Sequence, residues 1–246
     1  MNSITHVGIT GALGNIGTTL TRGLEEKYSL KLYDIRSNDT SASGAPFYRI
    51  DFARQEELAG MFEGLDALIH LAGDPRPDAP QEMTFRNNFV ATSYVFEEAR
   101  AAGIKKIVFA SSNFYHQGDI MKALQGRLNH PITLDMPPTP DCPYGKSKVF
   151  GENVGRHMAN LGVRFAALRI GWTVPEDDPS LYGGDYMRAM FCSKRDLVQA
   201  FDRGLTVDSD FVVGFATSRN RRNVFDLTET TRELGFDPVD DAENYF

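Results

Sequence analysis

Short apolar runs alternate with helix-period stretches over the first 171 residues. HVGIT (6–10), SLKLYDI (29–35), PFYRIDF (46–52), DALIHLAG (66–73), KKIVFASS (105–112) and VRFAALRIG (163–171) read as strands. Most are continuously apolar, the pattern of strands covered on both faces. Helical patterns fill 15–28, 55–63, 82–102 and 146–161. This alternation predicts an α/β fold, a doubly wound parallel sheet. Its right-handed crossovers place ligands at the carboxyl ends of the strands.

Past Gly171 the pattern changes. Residues 172–187, rich in Pro, Asp and Gly, read as a loop. SKRDLVQAFDRGL (193–205) reads as a helix, DFVVGFA (210–216) as a strand, and TETTRELGF (228–236) as a short helix with a Thr/Glu start and a Gly235 stop. Segment 116–143 contains Pro131, Pro137, Pro138, Pro140 and Pro143. It reads as a long irregular insertion, a kind that is usually functional or mobile. The whole of 1–246 reads as one domain, with 172–246 as a small substrate-binding part.

Composition narrows the classes. The chain is 41% hydrophobic with a net charge of −7. That acidity argues against nucleic acid as a partner, and the densest basic run is only Arg219-Asn220-Arg221-Arg222. Cys142 and Cys192 form neither a disulfide framework nor a metal spacing, which points to a reducing cytoplasm. His6, His70, His116, His130 and His157 are scattered, so no metal site is expected. No signal peptide and no membrane span are expected either.

Gly11, Gly14 and Gly17 follow the first strand and lead into the first helix. In that context the triplet marks a dinucleotide-binding turn. Gly11 permits the turn, Gly14 lets the backbone approach a pyrophosphate, and Gly17 allows close helix–sheet packing. Asp34 closes the second strand, where a carboxylate accepts the adenosine ribose hydroxyls and repels a 2′-phosphate. NAD is therefore favoured over NADP, although the neighbouring Arg36 could serve a 2′-phosphate. Asp51 ends the third strand; it meets the adenine edge together with Phe52, or simply starts a turn.

Tyr144 and Lys148 share one helix face at i, i+4. A nearby ammonium favours the phenolate, so Tyr144 is expected to have a lowered pKa and to take a substrate proton. Ser112, ending the fifth strand, can fix the same hydroxyl. Asp74 and Arg76 either contact substrate or brace the Pro75/Pro77 turn. Asp177-Asp178 and Asp240-Asp241 read as loop carboxylates, and Met187 and Met190 as packing residues.

These residues occur together in a known order. TGALGNIG, Asp51, HLAG (70–73), Asn88 in NNFVAT, FASSN (109–113) and YGKSK (144–148) resemble the extended short-chain dehydrogenases/reductases over nearly the whole chain. HLAGDPRPDAP, YGKSKVFGE, RIG and the ending ELGFDPVDDAENY are most similar to NAD-dependent sugar dehydrogenases, namely uronate dehydrogenases and archaeal glucose-6-phosphate dehydrogenases. The resemblance implies a Rossmann-type fold and a Ser112, Tyr144, Lys148 catalytic set. It also implies cofactor contacts at Asn15, Ile16, Phe52, Leu71, Ala72, Gly73, Asn88 and Ile170. Substrate contacts are implied at Asp74, Asn113, Phe114, Trp172 and Arg188, the last able to pair with an anionic substituent. Pairing into dimers through helices 82–102 and 146–161 is also implied.

Phe114 stands where uronate dehydrogenases have a histidine, and Trp172 where they have a small polar residue. Phosphorylated, sulfonated and neutral aldoses thus fit as well as uronates. The short stretch after Tyr144 suits a monosaccharide better than a nucleotide sugar. The leading expectation is an aldose 1-dehydrogenase that makes a lactone. A sugar epimerase or dehydratase is the enzymatic alternative, and a nucleotide-sensing regulator the non-catalytic one.

Overall fold

A computed structural model describes residues 4–37 and 44–246. In chain order the elements begin with β1 (His6–Thr10), α1 (Asn15–Leu24), β2 (Ser29–Asp34), β3 (Phe47–Arg49) and β4 (Ala67–His70). Next come α2 (Gln81–Thr84), α3 (Ala91–Ala101), β5 (Lys106–Ser112), α4 (Gln117–Leu124), α5 (Pro143–Asn160) and β6 (Arg164–Ile170). The chain finishes with α6 (Gly184–Met190), α7 (Lys194–Thr206), β7 (Phe211–Ala216) and α8 (Thr228–Leu234). The seven strands form one parallel sheet in the order β3-β2-β1-β4-β5-β6-β7. Strand order reverses between β1 and β4, so the ligand crevice opens above their carboxyl ends. This is the doubly wound parallel sheet that the alternation predicts, of the Rossmann type that the resemblance implies. Among the described residues no helix is long and apolar enough to cross a membrane.

The continuous apolar strands are explained by the two cores they separate. Successive side chains on β5 and β6 point to opposite faces. Val108, Ala110, Ala166 and Leu168 join Leu20, Leu24, Leu197 and Phe201 under α1 and α7. Ile107, Phe109, Phe165 and Ala167 join Val95, Phe96 and Met158 under α3 and α5. A smaller cluster of Ile120, Ile132, Ala189, Met190, Phe215 and Phe225 ties segment 116–143 to the C-terminal part. Met187 is buried beside Phe191, as packing residues are.

Several expectations need correction. Residues 55–63 form one 3-10 turn, Gln55–Glu57, followed by turns; Gly60 at φ 74° and Gly64 at φ 75° leave the right-handed region that a helix needs. The 82–102 helix is interrupted by a π-helical turn, Phe85–Val90. The expected loop 172–187 contains a 3-10 turn at Pro179–Leu181 and the start of α6. The insertion 116–143 contains α4, and Ile132 bridges to Phe225. Helix α5 starts earlier than its periodicity indicates. Pro143 occupies its first turn and the Cys142 thiol accepts the Gly145 N–H. At α8 the Gly235 stop is a left-handed cap at φ 68°, while Asp226, not a threonine, accepts the Thr228 N–H.

Candidate active site

A cavity of about 660 Å³ runs along the carboxyl edge of the sheet, from the β1–α1 turn to the start of α5. All the residues that the sequence nominates line it except Arg76, Asn88 and Arg188.

At one end the glycines build a cradle. Gly11 has φ 70°, and a Cβ there would lie 2.9 Å from the Ala72 nitrogen. A Cβ on Gly17 would lie 2.6 Å from the Ala12 carbonyl carbon. Gly14 precedes α1 with no side-chain cap, so the helix N-terminus keeps free N–H groups for an anion. Asn15 donates to Thr173 Oγ1 at 3.1 Å, tying this turn to the end of β6. Asp34 is buried; its carboxylate accepts Leu13 N–H at 2.9 Å and Arg36 Nε at 3.0 Å. Desolvation pushes this carboxyl up, but the Arg36 and Leu13 hydrogen bonds overcome it and hold it below the usual range. A dinucleotide fits these residues: a phosphate cradle no side chain fills, and an ionised carboxylate at the end of β2. Asp51 does start a turn, accepting Ala53 N–H at 3.1 Å, and it pairs with Arg86 at 2.5 Å.

Asn88 does not reach the cavity. Held in the π turn, it accepts Asp74 N–H at 2.7 Å and donates to the Asp74 carbonyl at 2.9 Å and to Ser147 Oγ at 3.2 Å. It therefore joins the β4 loop to α5. Arg76 clamps the Asp74 carboxylate through two nitrogens, at 2.9 and 2.6 Å, which makes it a brace of that turn.

At the other end Ser112, Tyr144 and Lys148 converge. Lys148 donates to the Ala110 carbonyl at 2.8 Å and lies 5.2 Å from the centre of the Tyr144 ring. Burial without a carboxylate partner pulls its pKa down to about 8. Tyr144 departs from expectation. Burial raises its pKa, and the hydrogen bond with Ser112 only partly offsets the rise. Lys148 sits over the ring, and desolvation is the largest influence on the hydroxyl.

Ser112 Oγ donates to Asn113 Oδ1 at 3.1 Å and accepts Phe114 N–H at 3.2 Å. Asn113 Nδ2 donates to Tyr186 OH at 2.7 Å, which in turn donates to Gln117 Oε1 at 3.0 Å. The Phe114 ring packs edge-on against Tyr144, and Trp172 edge-on against Tyr186. Arg188 is held elsewhere: it pairs with Glu243 at 2.6 Å and lies 3.7 Å from the Phe246 ring centre.

Sequence reasoning missed three things. Tyr186 has no local signal, because its partner Asn113 lies far along the chain. Thr10 and His70 form a buried pair at 2.8 Å, and Thr10 Oγ1 also accepts Leu71 and Ala72 N–H, shaping the loop after β4. Beneath the triad, Arg169 pairs with Glu152 at 2.8 Å and contacts His116 Nε2 at 2.8 Å, while Ser111 donates to Glu152 at 2.5 Å. Two signals point to this cluster. Arg169 is a charge inside an apolar strand pattern, and Glu152 lies four residues past Lys148 on the same helix face.

Residues 7–174 match the model of the NAD dependent epimerase/dehydratase family. The chain belongs to that family. This epimerase/dehydratase-family protein is an NAD-dependent enzyme, an oxidoreductase acting on CH–OH groups. It is similar to an L-arabinose 1-dehydrogenase (NAD(P)+) of Haloferax volcanii, 32% identical over 96% of this chain and 97% of that protein. An NAD-dependent glucose-6-phosphate dehydrogenase of the same organism is 30% identical over 96% and 94% of the two chains. Among solved structures, a uronate dehydrogenase of Agrobacterium tumefaciens superposes with a TM-score of 0.84 at 27% identity, covering 98% of this chain and 86% of that one.

Proposed function

We propose that this enzyme oxidises the C1 carbinol of a cyclic aldose to a lactone, with NAD as the acceptor. The observation that carries the reading is the convergence of Ser112, Tyr144 and Lys148 in the cavity that also holds the glycine cradle. Full-length similarity to sugar dehydrogenases supports it. Bound NAD would supply the acceptor for the hydride that leaves C1.

The chain's own residues handle the proton and the geometry. Ser112, fixed by the Phe114 N–H and the Asn113 amide, hydrogen-bonds the C1 hydroxyl and orients it. Tyr144 takes that hydroxyl's proton as the carbonyl forms. Lys148, an ammonium at neutral pH, favours the tyrosinate and contributes to holding the nicotinamide ribose. Gly11, Gly14 and Gly17 cradle the pyrophosphate, and Asp34 receives the adenosine ribose in exchange for part of its bonding to Arg36. Phe114 and Trp172 exclude water from the reacting carbon.

Absorbance of NADH at steady state, with a panel of free aldoses, tests this. Accumulating NADH distinguishes net oxidation from epimerisation, which returns the cofactor to its starting state. Tyr144→Phe should lower kcat by at least about 10²-fold while leaving NADH binding intact. A Phe variant that turns over at the wild-type rate would sink the assignment.

A further inference from the structure

The cations near the sugar end of the cavity, among the described residues, are already committed. Lys148 donates to the Ala110 carbonyl beneath the tyrosine. Arg76 holds both oxygens of Asp74, a carboxylate only 8% exposed. Arg188 is paired with Glu243 and stacked on Phe246. Arg169 is buried on Glu152 and His116 below the sheet edge. Besides the committed Lys148 and Asp74, the wall here carries neutral groups: the Ser112 and Tyr144 hydroxyls, the Asn113 amide, and the Phe114 and Trp172 rings. Trp172 is 37% exposed, so its ring offers an open apolar surface at the mouth.

We propose that this end of the site selects neutral aldoses over uronates and sugar phosphates. The inference rests on the aldose-oxidation reading above.

The physical argument is one of replacement cost. Binding a carboxylate or phosphate requires an arginine to leave its own carboxylate. Removing Arg76 from Asp74 strands a largely desolvated carboxylate beside the incoming anion, and freeing Arg188 breaks its 2.6 Å pair with Glu243, which then keeps only Arg222 at 2.8 Å. A neutral sugar asks for no such exchange. Its hydroxyls meet fixed donors and acceptors, and its C–H faces meet aromatic rings. Tyr186 makes the amide a fixed reader. It accepts from Asn113 Nδ2, so Asn113 Oδ1 is held toward Ser112 and the sugar rather than free to flip. A pocket built on such fixed hydrogen bonds penalises a substrate that leaves them unpaired.

The test compares kcat/KM for neutral aldopentoses and aldohexoses with glucuronate, galacturonate and glucose 6-phosphate. Rates of NADH formation are measured at saturating NAD, at low and high salt. The best neutral sugar should exceed every anionic one by at least about tenfold. Its KM should be insensitive to salt, because no charge pairs with it. An anionic aldose that equals or exceeds the best neutral one, with a KM that rises with salt, overturns the preference and leaves the dehydrogenase reading standing. Absence of NADH with every aldose, by an enzyme that still binds NAD, overturns both.

Discussion

Tyr144 and Lys148 titrate as a pair. Burial raises the tyrosine and pulls the lysine to about 8, so the first proton leaves the pair near pH 8 and the second well above. Most of the singly deprotonated pair is neutral lysine beside neutral tyrosine. On the proposed mechanism the reactive tautomer, phenolate beside ammonium, is a minor member of the same population and rises and falls with it. With NAD bound, kcat/KM for oxidation should therefore climb about tenfold per pH unit below pH 8 and level off above it. A pH–rate profile checks this. A profile already flat from pH 6 to 8 would mean that the bound cofactor has moved the tyrosine far below the position burial gives it. That Tyr144 and Lys148 come together was legible in the sequence, because i, i+4 spacing fixes a shared helix face. The partners that tune it were not. Tyr186 reaches Asn113, and Glu243 captures Arg188, only through chain folding that no local pattern records.

Helix α5 carries the tyrosine and lysine, and its seat on the sheet sets their distance from Ser112. Gly151 and Gly155 provide that seat. A Cβ on Gly155 would fall far inside van der Waals contact of the Phe165 ring, and one on Gly151 would do the same to Phe109. Both rings are buried in the core under α5, so neither can swing into solvent. In a helix interior Gly→Ala normally gains about 1 kcal/mol. Here overpacking, at about 1–3 kcal/mol, outweighs the gain. Gly155→Ala should thus destabilise the protein, by up to about 2 kcal/mol in urea unfolding. Combining it with Phe165→Leu should cost less than the sum of the two single changes, since the smaller side chain makes room. Additive losses would place the strain elsewhere. The elements that sequence read well are those with long, unbroken periodicity, such as α5 and β6. The failures have local causes: glycines at positive φ end the 55–63 pattern, and a π turn inserts Asn88 between α5 and the β4 loop. Short α4 and α6 bury only a few residues each in the satellite cores, too few to leave a clear periodic signal.

The two buried histidines make the stability of the whole molecule depend on pH. Thr10 Oγ1 accepts two backbone N–H groups, so its own proton goes to His70 Nδ1, and the neutral ring donates from Nε2 to Thr92 at 3.1 Å. Arg169 donates to His116 Nε2, which fixes that ring as an acceptor. Protonating it would set an imidazolium against a guanidinium. Burial, aided by the Lys148 charge at His70 and the Arg169 charge at His116, pulls each folded pKa to about 3. An unfolded histidine titrates near 6.5. Below that value the unfolded chain binds more protons than the folded one, so stability is complete above about pH 6.5 and is lost as pH falls toward 3. Each ring withdraws up to about 1.4 kcal/mol per pH unit. Together they remove roughly 4 kcal/mol by pH 5, a large part of the 5–15 kcal/mol typical of a folded domain. The urea midpoint should therefore drop sharply between pH 7 and pH 5, before most carboxylates titrate. His70→Gln should show about half the wild-type slope over that interval, whatever its stability at pH 7. A wild-type midpoint unchanged across it would mean that one or both rings take up a proton without unfolding, and that the packing around Thr10 and Arg169 yields to the charge.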